Sequence, residues 1–241
     1  MLIAGNWKMF KTPREAAGFC TELRAALEGV SAIDKAVCPP YVDLPATVEA
    51  LAGSDIDVYA QNVHWAESGA FTGEVSATML LELGVDGAIV GHSERRQYFG
   101  ETDESVAKRA ESALDAGLKV IACVGELEAE REAGETEAVL VRQMAPIIDQ
   151  IGKHESLVVA YEPVWAIGTG KTATPDQAQD AHAFIRGLLD VPILYGGSVK
   201  PSNAGDLMSR PDVDGALVGG ASLEIDSFTG ICTAAREAVG G

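Results

Sequence analysis

Eight short apolar runs, mostly β-branched, recur along this chain, each followed by a longer stretch of helical periodicity. They occupy residues 2–4, 36–38, 58–61, 88–90, 120–124, 157–161, 193–195 and 216–218. The intervening segments, such as 13–27, 103–116, 137–151 and 175–189, repeat apolar residues at helical spacing. Several of them open on a capping residue followed by proline, as in Thr12-Pro13, Thr174-Pro175 and Lys200-Pro201. Runs that are apolar throughout, instead of alternating with polar residues, belong to strands buried on both faces, which is the condition of a parallel sheet. Eight such units in 241 residues match a closed (β/α)8 barrel, for which about 250 residues is typical. A doubly wound open sheet is the competing architecture. No Ser/Gly-rich linker or break in composition divides the chain, so a single domain is expected.

Either architecture gathers function just beyond the C-terminal ends of its strands. The polar groups that follow the apolar runs are therefore neighbours: Asn6 and Lys8, Gln61 and Asn62, His92 and Glu94, Gly125 and Glu126, Glu162, Gly196 to Ser198, and Gly219 with Gly220. Glu162 precedes Pro163, and proline biases the residue before it away from helix, so this acid ends a strand. With Val164, Trp165 and Ile167 close by, desolvation would strengthen it as a base. Taken alone, it reads equally well as a solvated loop carboxylate. His92 stands where a helix begins, and the positive helix end disfavours imidazole protonation, leaving a neutral donor for a substrate oxygen. A structural hydrogen-bond role is the competing reading of His92, and it is the one expected for His64 and His182. His154 reads as a solvated loop residue. Lys8 offers a cation to substrate or a partner to Glu94.

Charge narrows the possible partners. Thirty-six acidic against eighteen basic residues leave a net charge of −18, which disfavours nucleic acid and anionic membrane surfaces. An anionic substrate would have to rely on local backbone N–H groups. Three glycine-rich stretches supply them: residues 167–171, 195–198 and 218–222, each after a late strand. Residues 170–172 lack the leading glycine of a P-loop, since Trp165 holds that position, and the G-x-G-x-x-A pattern at 168–173 falls in the sixth unit, whereas dinucleotide sites use the first. No zinc spacing or acidic magnesium cluster is evident, and Cys20, Cys38, Cys123 and Cys232 read as buried free thiols. No apolar run is long enough for a membrane span, and residues 1–8 lack the pattern of a signal peptide. A cytoplasmic location is expected.

The blocks AGNWKM at 4–9, AQNVHWAESGAFTGEVS at 60–76, GHSERR at 91–96, YEPVWAIGTGKTAT at 161–174, YGGSVKPSNA at 195–204 and VGGASL at 218–223 resemble the triosephosphate isomerase family, in its order and over almost the whole chain. The resemblance implies a single-domain (β/α)8 TIM barrel over 1–241. It implies Glu162 as catalytic base, His92 as electrophile, and Asn6 and Lys8 as substrate-binding groups, with Glu94 orienting Lys8. Residues 163–173 would form a mobile lid whose Gly168 amide binds phosphate with Ser198, Gly219 and Gly220. The loop 62–76 would insert into a second subunit, making a homodimer in which Thr72 reaches the other active site. The implied reaction interconverts D-glyceraldehyde 3-phosphate and dihydroxyacetone phosphate, in glycolysis and gluconeogenesis, without metal or other cofactor. One departure stands out: only Val191-Pro192 separates Asp190 from the seventh apolar run, where the family has a longer connection, so local packing there is in question. Two other readings remain: another phosphate-binding barrel enzyme such as an aldolase, which needs a Schiff-base lysine or a second acid, and a barrel that binds phosphate without turnover.

Overall fold

The computed structural model describes residues 1–167 and 173–240. The apolar runs become eight strands: β1 (Leu2–Asn6), β2 (Asp34–Cys38), β3 (Ile56–Ala60), β4 (Gly87–Val90), β5 (Lys119–Val124), β6 (Leu157–Tyr161), β7 (Ile193–Tyr195) and β8 (Gly215–Val218). Each pairs in parallel with the next, and β8 closes on β1 with Leu2 opposite Gly215 and Gly5 opposite Val218. Closure removes both sheet edges and settles the architecture as the (β/α)8 barrel over the open sheet.

Because side chains alternate along a strand, each strand contributes to two apolar layers. Leu2, Ala4, Cys38, Tyr59, Ile89, Ile121, Ala160, Leu194 and Leu217 fill the barrel interior. Ile3, Val37, Val58, Val90, Val120, Val159, Ile193 and Val218 instead meet the surrounding helices. The same parity carries Asn6, after Leu2 and Ala4, and Glu162, after Ala160, to the inner face at the C-terminal mouth.

Helix starts follow local chemistry. Thr12 donates its backbone N–H to Glu15 Oε2 at 2.8 Å, and Thr174 and Gln177 exchange the two bonds of a capping box before Pro175. The helix Pro175–Leu188 and strand β7 are joined by four residues, 189–192. The short connection packs well. Val191 is buried, and Arg186 reaches its carbonyl while bonding Asp212 and Asp214 at 2.6 and 2.5 Å. All four cysteines are free and buried, Cys38 and Cys123 inside the barrel and Cys20 and Cys232 under the helices. His154, expected in a solvated loop, is half-buried and its Nδ1 accepts from the Ser156 N–H at 3.1 Å. Among the described residues, no helix is long and apolar enough to cross a membrane.

Candidate active site

Glu162 projects from the end of β6 between the ends of β5 and β7, and it fits there because both neighbours are glycine. A Cβ on Gly125 would lie 1.8 Å from the Glu162 carbonyl oxygen, and one on Gly196 would lie 2.8 Å from its Cγ. The carboxylate is almost fully buried. Its Oε2 accepts the Ser93 backbone N–H at 2.8 Å, and its Oε1 lies 3.0 Å from His92 Nε2.

His92 caps the helix Ser93–Phe99, its Nδ1 accepting the Glu94 N–H at 3.2 Å. That bond occupies the Nδ1 lone pair, so the imidazole proton sits on Nε2 and is directed to Glu162. Lys8 completes the group. Its Nζ lies 2.5 Å from Glu94 Oε1, and its backbone takes a left-handed φ of 53°, uncommon for a side-chain-bearing residue. Three hydrogen bonds hold that conformation in place: the Lys8 N–H donates to Asn6 Oδ1 at 3.0 Å, and Gln61 Nε2 donates to both the Lys8 and Cys38 carbonyls at 2.8 Å. A strained backbone held on every side is a common feature of functional sites.

One cavity of about 350 Å³ is lined by Asn6, Lys8, His92, Glu162, Ser198, Gly219 and Gly220, together with Ile167 and Lys200. The mouth thus brings together residues drawn from β1, β4, β6, β7 and β8. Glu94 stands behind Lys8 instead of lining the space. Gly168 lies outside the described residues. Thr72 is exposed in the 62–76 loop and does not reach this cavity within a single chain. That loop is folded back on itself: His64 N–H donates to the Val75 carbonyl at 2.8 Å, and the His64 ring stacks against Trp65 and lies tilted against Phe71. Arg109 secures its root through the Val63 carbonyl at 2.5 Å. Among the described residues, no cluster of ligating side chains suits a metal ion.

Three contributors have no assigned part in the sequence reading. The Ser93 N–H and Gln61 act through bonds whose partners lie 69 and 53 residues away. The third is Glu126. Fully buried, it accepts from Tyr161 Oη at 3.0 Å, Trp165 Nε1 at 2.9 Å and Arg131 Nη1 at 3.3 Å, while its carbonyl accepts the Val164 N–H at 3.2 Å. It therefore ties down the 3₁₀ turn Val164–Ala166 directly after the base. Proximity at strand ends was the available signal for Glu126 and Gln61, and it says nothing about their partners.

A closed parallel barrel with carboxylate, imidazole and ammonium groups converging at the C-terminal mouth, beside a glycine-rich rim, defines a barrel of the enzyme class. Within that class the chain belongs to the triosephosphate isomerase family, whose model matches residues 1–235. Similar proteins named triosephosphate isomerase include that of Carboxydothermus hydrogenoformans, 55% identical over 241 residues, spanning 95% of this chain and 96% of the relative. Those of Solibacter usitatus and Citrifermentans bemidjiense are each 53% identical over 242 residues, spanning 95% of this chain and 97% and 96% of the relatives.

Proposed function

We propose that this chain interconverts D-glyceraldehyde 3-phosphate and dihydroxyacetone phosphate, a step of glycolysis and gluconeogenesis, with Glu162 as the base. The observation that carries the reading is the 3.0 Å approach of Glu162 Oε1 to His92 Nε2 at the mouth of the barrel, in the cavity that Lys8 also lines. Substrate entering between the two side chains takes over the His92 Nε2–H, which then donates to the carbonyl oxygen. Glu162, released from that bond, removes the proton from the carbon beside the carbonyl. The resulting enediolate oxygen is stabilised by His92 and by the Lys8 ammonium, and Glu162 returns the proton to the adjacent carbon. Base and donor suffice, so no cofactor is required.

The phosphate is held by backbone donors at Ser198, Gly219 and Gly220 and by the Gly168 amide, with Asn6 and Lys8 binding the rest of the substrate and Glu94 orienting Lys8. Residues 163–173 act as the lid. Closing over the site excludes the water that would favour loss of phosphate from the enediolate. The molecule is a single barrel domain over 1–241 that functions as a homodimer, with loop 62–76 entering the partner and Thr72 completing the partner's site. The distribution of exposed apolar groups supports this: most of the large ones among the described residues, including Met9, Phe10, Trp65, Phe71, Met79, Tyr98 and Phe99, belong to segments following β1 to β4, while Leu127, Val141 and Val239 lie elsewhere. The four free thiols suit a reducing compartment, and the cytoplasm is the location we assign.

The test is a coupled assay on D-glyceraldehyde 3-phosphate with wild type and Glu162→Asp. Shortening the carboxylate by one methylene lowers turnover by about 10²-fold with much less effect on KM. Unchanged turnover in that variant rules out Glu162 as the base.

A further inference from the structure

The electrostatics of the mouth pose a problem that backbone donors, which act at contact distance, answer only once the substrate has arrived. A phosphate dianion must enter a molecule of net charge −18. Among the described residues, the carboxylate lining the cavity is the base itself, Glu162. Lys8 does not offset it, because Glu94 Oε1 lies 2.5 Å from its Nζ and balances that charge. Most other cations are likewise balanced by a neighbour: Lys35 by Asp55, Lys119 by Asp57, Lys153 by Asp190. On this count alone the cavity repels its substrate.

Among the described cations that line this cavity, Lys200 is the exception. It is exposed and lines the cavity beside Ser198. Among the described residues it has no ion-pair partner. Its position is fixed by the main chain: the Lys200 N–H donates to Asn203 Oδ1 at 2.7 Å, and Asn203 Nδ2 donates to the Ser198 carbonyl at 3.1 Å. One asparagine therefore clasps Lys200 to the residue assigned to phosphate, and because both bonds are to backbone atoms, replacing the Lys200 side chain leaves them intact. We propose that Lys200 is the capture cation of this site, drawing the substrate phosphate into the rim before the backbone donors hold it, and so setting the specificity for dianionic substrates. The proposal rests on the isomerase reading above for the identity of the dianion.

A unit charge acting on a dianion at the rim, through solvent, changes association by about fivefold at low ionic strength, and the effect fades as the screening length falls below about 4 Å near 0.5 M salt. The experiment measures kcat and kcat/KM for Lys200→Gln, Lys200→Arg and wild type on D-glyceraldehyde 3-phosphate from about 0.01 to about 0.5 M ionic strength. Phosphate-free D-glyceraldehyde serves as the second substrate. Expected for Lys200→Gln are an approximately fivefold loss of kcat/KM at low salt, little change in kcat, convergence with wild type at high salt, and no loss on D-glyceraldehyde. Lys200→Arg retains wild-type behaviour. Salt profiles that superimpose, or an equal loss on both substrates, overturn the proposal. Should wild type show no turnover, the isomerase reading falls, and calorimetric titration with inorganic phosphate decides the role of Lys200 separately: binding weakened in Lys200→Gln supports it, and unchanged binding overturns it.

Discussion

Acid should destabilise this protein through one buried imidazole. His182 sits on the helix Pro175–Leu188, fully buried, with its ring edge-on to Tyr161 at 5.9 Å and tilted against Tyr195 at 6.3 Å. Its Nδ1 lies 3.0 Å from the Asp212 carbonyl, which accepts only, so the neutral ring carries its proton there. Burial pushes the pKa down from 6.5 to about 4, against the opposing pull of the Asp212 carbonyl and the Asp214 charge, with Arg186 adding to the depression. Since the unfolded chain binds this proton more readily, stability rises with pH across the window from about 4 to 6.5 and is lost as pH falls through it. At about 1.4 kcal/mol per unit of pH, the separation is worth about 3 kcal/mol, a large share of a typical folding free energy. Urea unfolding followed by circular dichroism, at fixed protein concentration from pH 4 to 7.5, measures it in wild type and His182→Asn. The asparagine keeps a donor toward Asp212 and removes the titration. The stability difference between the two proteins should swing by about 3 kcal/mol across the window, with wild type gaining as pH rises. Parallel pH profiles would refute the assignment, whatever constant offset the substitution introduces.

Three further outcomes are expected. Gly125→Ala places a methyl 1.8 Å from the Glu162 carbonyl, so the base must shift; kcat should drop by about 10²-fold and stability by about 1–3 kcal/mol, measured by coupled assay and thermal unfolding. Gln61→Ala leaves the Lys8 carbonyl without its donor, while the Cys38 carbonyl keeps the Trp7 N–H, which should cost about 1–2 kcal/mol and lower kcat/KM through misplacement of Lys8; unchanged kinetics in this variant would count against this. Raising salt from low to physiological strength should raise Tm by screening the self-repulsion of a −18 chain, and a Tm independent of salt would show that the acidic surface is already balanced locally.

Alternation and capping were legible directly. Each is decided by residues two to four positions apart: Leu2, Ala4 and Asn6 share a strand face, and Thr174 caps through Gln177. Such short separations also bring out the strand-end residues Asn6, Lys8, His92 and Glu162, because strand tips of parallel barrels converge on one mouth whatever the details of packing. What those tips do to one another depends on barrel closure. Lys8 meets Glu94 across 86 positions, Glu162 meets the Ser93 N–H across 69, and Glu126 gathers Tyr161 and Trp165 across 35 and 39. No local pattern encodes those distances. The roles of Gly125 and Gly196 as space for Glu162 likewise exist only where β5, β6 and β7 lie side by side, and which cation lining the cavity meets an acid, Lys8 with Glu94 and not Lys200 among the described residues, is decided by the folded chain. Periodicity along the chain determined the elements and the face each strand turns inward; the pairing of groups distant in sequence was decided by the closed sheet, because only closure sets the distances over which hydrogen bonds and charges act.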